Sequence, residues 1–288
     1  MSRTESVQAA GGGSTAPVLS PSELVGLSLG TRVVTYDETD AILYALAVGA
    51  AAEDTDYTYE RGLRVLPTFA LPLGLWTADA ASAAGAFVPA EALHGAQYLS
   101  LRSPLPAAGQ LSISGSIAAV WDTGRSALID VLAECEEFSA IYSIILPGKG
   151  GFGGERKPRR TPVVAETDMD VTTEFDTNPS QAALYRLTGD RHAIHIDPVA
   201  ARAAGFDRPI LHGLCTLGVA AREVASASDR RPDELRELSA RFVSPVKPGD
   251  RLATTCRTSA ADAGSVAKFV VSVVERNVLA DCFATFVR

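Results

Sequence analysis

YRLTGDRHAIHIDPVAARAAGFDRPILHGLCTLGVAAREV, residues 185–224, is the most informative stretch of this 288-residue chain. Just upstream, Asn178-Pro179 pairs a cap residue with a proline at the first helical position. It predicts a helix through Gln181, Leu184, Tyr185 and Leu187, with Gly189 as its stop. Asp197-Pro198 opens a second short helix, VAARAAG, in the same way. A third begins near Gly213, where Leu214, Leu217, Gly218, Ala221, Val224 and Ala225 form one apolar stripe whose small residues allow close approach to a sheet. Asp190 and His195 therefore fall between helices. On one continuous helix they would diverge by about 140°; on a short loop they can converge.

A carboxylate and an imidazole aimed at one point can hold a water and pass a proton, and histidine is the side chain that ionises nearest neutrality. His212-Gly213 supplies a third element. The first N–H groups of a helix lack internal partners and carry partial positive charge, and Gly213 has no side chain to block approach. A thioester carbonyl resting there would have its developing enolate oxygen stabilised.

Outward from this stretch, the chain repeats itself. Leu43-Tyr44-Ala45-Leu46 matches Leu184-Tyr185-Arg186-Leu187, and Ser103-Pro104-Leu105 matches Ser244-Pro245-Val246. Leu128 to Glu134 matches Phe269 to Glu275, all at one offset. Two related halves are expected, residues 21–147 and 162–288. A Gly-rich then basic linker, 148–161, joins them and a flexible tail, 1–20, precedes them. In the second half Leu238–Ser244, Arg251–Thr258, Val266–Arg276 and Leu279–Val287 read as strands of an antiparallel meander, with turns at Pro248-Gly249 and Asn277.

Composition bounds the function. Hydrophobic residues at 47% and charged residues at 21% specify a packed globular chain, and a net charge of -8 argues against general nucleic-acid binding. Cys135, Cys215, Cys256 and Cys282 form no CxxC pair and read as free thiols. No apolar run is long enough to span a bilayer, the N-terminus has no signal-peptide h-region and FATFVR is no peroxisomal address, so a cytoplasmic protein is expected.

YRLTGD, IHIDP and AGFDRPILHGLCTLG, together with TDAILYALAVGA, VLPTFALPL and GKGGFGGER, resemble the MaoC-like family, most closely its hydratase 2 group. The resemblance implies an α+β double hot-dog fold: two antiparallel sheets, each wrapped around a long helix, packed as a pseudo-dimer. It implies an (R)-specific 2-enoyl-CoA hydratase or 3-hydroxyacyl-thioester dehydratase. Asp190 and His195 would hold the catalytic water, and Gly213 would supply the oxyanion-hole N–H. It also implies syn addition of water, no cofactor beyond the CoA or acyl-carrier thioester substrate, and a homodimer. One departure stands out. Where the family pattern reads Asn-Pro-Leu/Ile-His, this chain has His192-Ala193-Ile194-His195, so an orienting amide and a rigid turn are both replaced. At the repeat offset, Gly49 stands opposite Asp190 and Asp54 opposite His195, which makes the first half the non-catalytic copy. The family implies that this half accommodates the acyl chain.

Several motifs have blander readings. His212 fits a structural role at its turn as well as a substrate contact. His94, in EALHGAQ, reads as a core or solvated histidine. The histidines and aspartates around 190–197 lack a standard zinc spacing, so no metal is expected. GKGGFG at 148–153 fits GxGxxG but opens no helix, so it is not a dinucleotide site. The acidic run Glu166, Asp168, Asp170, Glu174 and Asp176 reads as solvated. The basic cluster Arg156, Lys157, Arg159 and Arg160 is either a CoA phosphate contact or an ordinary loop. The rival functions are a hot-dog thioesterase and a catalytically weak acyl-thioester-binding subunit.

Overall fold

The structure, a computed structural model, describes residues 20–158, 170–261 and 264–287. The first half supplies β1 (Ser28–Tyr36), β2 (Leu93–Leu101), β3 (Gly109–Asp122), β4 (Ser126–Glu134) and β5 (Phe138–Pro147). The second supplies β6 (Val171–Asp176), β7 (Leu235–Phe242), β8 (Arg251–Ala261), β9 (Gly264–Val273) and β10 (Arg276–Val287). Their order, β1-β3-β4-β5-β2-β7-β10-β9-β8-β6, is a palindrome of the two halves. The expected two sheets are therefore one. Antiparallel pairing of β2 with β7, Ala96 opposite Arg241 through Ser100 opposite Glu237, fuses them into a single ten-stranded sheet.

That sheet curls around helices whose apolar faces it buries. In the second half the Gly213–Ala227 helix matches the expected stripe: Leu214, Leu217, Gly218, Ala221, Val224 and Ala225 are all buried. A Cβ on Gly218 would come within 2.6 Å of Val48 Cγ1, so glycine here sets how closely this helix meets the Glu38–Ala47 helix of the other half. The first half has no equivalent long helix. Residues 67–83 run helically in three pieces, Pro67–Phe69, Ala70–Gly74 and Trp76–Ala83, with Pro72, which lacks an N–H for the ladder, inside the run. Gly74 is required by packing, since a Cβ would meet Tyr142 Oη at 2.7 Å. Tyr44 and Tyr185, equivalent in the repeat, are fully buried and face each other across the join with ring centroids 6.1 Å apart.

Three local expectations shift. The helix after Asn178-Pro179 starts at Gln181, because Asn178 Oδ1 accepts from Ser180 N and holds a turn first. The last hairpin turns at Val274-Glu275, with Val274 at φ 56°, and Asn277 pairs with Ser272 inside β10. The register that buries Val278 and Leu279 overrides the turn preference of Asn277. The described part of the 148–161 segment is pinned down. The Asp122 carboxylate accepts from the N–H groups of Gly124, Gly151 and Gly153 at 2.7–2.9 Å, so the glycine-rich loop cradles an internal anion. Of the acidic run, Glu166 and Asp168 lie outside the described residues. Glu174 and Asp176 pair with Arg251, and Asp170 with Arg257. All four cysteines are free thiols.

Candidate active site

Asp190 follows Gly189, whose φ of 139° turns the chain sharply after the Arg186–Thr188 turn. His195 ends a short 3-10 turn, Ala193–His195, and Asp197 caps the next helix by accepting from Val199 N at 2.7 Å. The Asp190 and His195 side chains thus sit on one loop clamped at both ends. His212 approaches as the cap residue of the Gly213–Ala227 helix. Asp190, His195 and His212 bring a side-chain oxygen or nitrogen each to within 4.8 Å of one another.

Each ring has a fixed orientation. His195 is buried, and its Nδ1–H donates to the Ile210 carbonyl at 2.9 Å, which leaves the lone pair on Nε2. Burial holds its pKa below the ordinary histidine value, against the opposing pull of Asp190. His212 is fully buried between Tyr185, at 4.8 Å, and His195, stacked at 3.7 Å and 25°. Its Nε2–H donates to the Asp190 backbone carbonyl at 3.1 Å, and its Nδ1 is a buried acceptor without a protein partner. Burial first, and the neighbouring His195 second, push its pKa down to about 3, so it stays neutral. It therefore stands behind Asp190 and His195, tethered to one and stacked on the other.

Gly213 is the first residue of the long helix, and a Cβ there would come within 2.9 Å of the Phe242 ring. Glycine is needed at this position for packing. Phe242 in turn lies 4.7 Å from His94, whose Nε2 donates to Gln97 Oε1 and whose burial lowers its pKa to about 4. His94 is thus a half-buried histidine behind the helix tip. The first half also contributes Asp79, whose carboxyl is raised above the usual range by burial and by the charge of Asp190. A groove of about 420 Å³ runs along β1, past Phe69, Leu73 and Trp76, and ends at Thr188 and Gly189 beside Asp190.

At the repeat-equivalent position the first half is plugged. Arg222, from the long helix, donates to the Val48 and Gly49 carbonyls and to Asp54 at 2.9 Å. The Phe175 ring occupies the space a side chain at Gly49 would need. Of the basic cluster, Lys157 Nζ is bound to Asp130 at 2.8 Å and Ser143 at 2.7 Å, Arg156 is exposed, and Arg159 and Arg160 lie outside the described residues. Ile210, Tyr185, Phe242, Asp79 and the Arg222–Asp54 pair were not picked out from the sequence as part of the site. The Ile210 contact uses a backbone carbonyl, which leaves no residue signature. The others are packing or cross-half contacts that no local pattern encodes.

A palindromic sheet around buried helices, with an Asp–His loop at one helix tip, defines a double hot-dog protein of the dehydratase type. The MaoC-like domain family matches residues 157–279, and the MFE-2 hydratase 2 N-terminal domain matches residues 34–140. The chain is 38% identical to 3-hydroxyacyl-thioester dehydratase Y of Mycobacterium tuberculosis over 76% of its length and 81% of that protein. It is also 38% identical to the mouse peroxisomal multifunctional enzyme type 2, covering 80% of this chain but only 34% of that longer protein. Among solved structures, a MaoC-like dehydratase from Phytophthora capsici superposes with a TM-score of 0.82 at 26% identity, covering 94% of this chain and 98% of that one. This chain belongs to the MaoC-like hydratase 2 family.

Proposed function

We propose that the protein is an (R)-specific 2-enoyl-CoA hydratase or 3-hydroxyacyl-thioester dehydratase, a hydro-lyase that adds water reversibly to a trans-2-enoyl thioester. The observation that carries this reading is the meeting of Asp190 and the free Nε2 of His195 beside the first N–H of the Gly213–Ala227 helix. A water held between carboxylate and imidazole loses a proton to one of them as its oxygen bonds to C3. The double-bond electrons move onto the thioester oxygen, which the Gly213 N–H receives, and C2 then takes a proton from the same loop. Both additions come from one face, so the outcome is syn. Dehydration is the reverse. The helix-tip donor contributes on the order of 10²–10³ in rate.

The groove ending at Gly189 supports a first half, residues 21–147, that houses the acyl chain while residues 162–288 hold the chemistry. The plugged counterpart at Gly49 supports one centre per chain. The substrate carrier is CoA or acyl carrier protein, and of the basic cluster Arg156, with Arg159 and Arg160, is the candidate for the CoA phosphates. We further propose cytoplasmic action as a homodimer without a metal or other cofactor. Among the described residues no helix is long and apolar enough to cross a membrane. The test follows disappearance of a 2-enoyl-CoA on adding protein. Asp190→Asn should abolish it with the melting curve intact. Release of CoA thiol without formation of a 3-hydroxyacyl product would instead establish a thioesterase.

A further inference from the structure

Residue 192 contacts Asp190 and caps the turn that carries His195. Its backbone N–H donates to Asp190 Oδ1 at 3.2 Å, and its side-chain Nδ1 accepts from Ile194 N at 3.4 Å, capping the turn that carries His195. The ring is exposed and lies edge-on to His195 at 6.2 Å. An asparagine oxygen in this role would accept at any pH, whereas an imidazole nitrogen accepts only while unprotonated. Among side chains, imidazole changes charge closest to neutral pH.

The surroundings favour a second position for a charged ring. Asp79, on the Trp76–Ala83 helix, senses the charges of Asp190, of Arg32 from β1 and of His192, and Arg191 is the chain neighbour of His192. His195 also feels the charge of His192, which opposes protonation of that ring. We propose that His192 is a positioning residue that makes the catalytic loop sensitive to acid: neutral, it caps the His195 turn; protonated, it releases Ile194 and pairs with Asp190. The carboxylate that would orient the water is then occupied by an imidazolium, and the His195 turn loses its cap. This rests on the hydratase reading of the same loop.

Rate profiles and one spectroscopic signal test it. Wild type should lose kcat/KM in acid with a slope approaching two per pH unit, against one for His192→Asn, which restores the permanent acceptor. His192→Leu, which has no acceptor, should lower kcat about five- to tenfold at pH 8, the effect of one lost cap. The Ile194 amide shift should titrate in wild type and stay flat in His192→Asn. Superimposable acid limbs for wild type and His192→Asn, full turnover by His192→Leu, or an Ile194 amide that ignores pH would each overturn the proposal. If wild type hydrates no enoyl thioester, the hydratase reading fails, and the Ile194 titration still decides whether the switch exists.

Discussion

His212→Phe separates support of the catalytic loop from support of the fold. Phenylalanine keeps a flat ring between Tyr185 and His195, where the imidazole now stacks at 4.8 and 3.7 Å. It removes Nε2–H, and with it the bond to the Asp190 carbonyl. A lost hydrogen bond costs about 1 kcal/mol net, and more if the carbonyl is left dry. Asp190 is only half-buried, so water can reach the freed oxygen. The same substitution deletes Nδ1, a buried acceptor with no protein partner, and so relieves a penalty of about 1–3 kcal/mol. The two terms nearly cancel, and global stability should change by less than about 1.5 kcal/mol. Asp190, however, loses the tether that fixes its backbone opposite His195, and a displacement of about 1 Å can cost on the order of a hundredfold in rate. The expected result is a melting temperature within about 4 °C of wild type and enoyl-CoA hydration slowed at least tenfold, mostly in kcat. Turnover within twofold of wild type, or a protein that no longer folds, would refute the reasoning.

Gly213→Ala drives a Cβ into the Phe242 ring and crowds the helix tip; kcat should fall by about 10²-fold, with a stability cost of about 1–3 kcal/mol seen in denaturant melts. Lys157→Met leaves the buried Asp130 carboxylate with only Trp121 and Ser143 as partners, so the melting temperature should fall while KM for enoyl-CoA holds. Replacing Arg156, Arg159 and Arg160 with alanine should do the opposite, raising KM and sparing kcat. Acid should destabilise the protein before its carboxylates titrate. Unfolded histidine takes up its proton near pH 6.5, whereas folded His94 and His212 do so only near 4 and 3, and His195 is also lowered. The unfolded state therefore binds more protons below about pH 6.5, and stability present above that pH is lost as pH falls toward 4. Thermal melts across that window should show it, and a flat profile would contradict the burial of these rings.

The sequence made the Asp190–His195 loop and the Gly213 helix tip legible because both are written locally: a glycine stop, two capped starts and an apolar stripe within forty residues. The second half's strands were readable for the same reason, to within a few residues at their ends. What escaped was non-local. Pairing of β2 with β7 joins segments far apart in sequence through backbone bonds that any residue can make, so two sheets were expected where there is one. The segmented helix at 67–83 was obscured because Pro72 sits inside an otherwise apolar run. His212 was legible as a helix cap, but its stacking on His195 depends on two loops meeting in space. The stand-in of His192 for an amide could be seen as a substitution, yet its hydrogen bond to Ile194 could not.

The guanidinium of Arg222 seated among the Val48 and Gly49 carbonyls and Asp54 has a consequence for stoichiometry. A pair of identical single hot-dog subunits would present two equal reaction centres and bind two thioesters. In this duplicated chain one of those chambers has been traded for an internal brace between its halves, so titration should saturate at one thioester per polypeptide. Cutting that brace, by Arg222→Met, should loosen the union of the halves without creating a second centre.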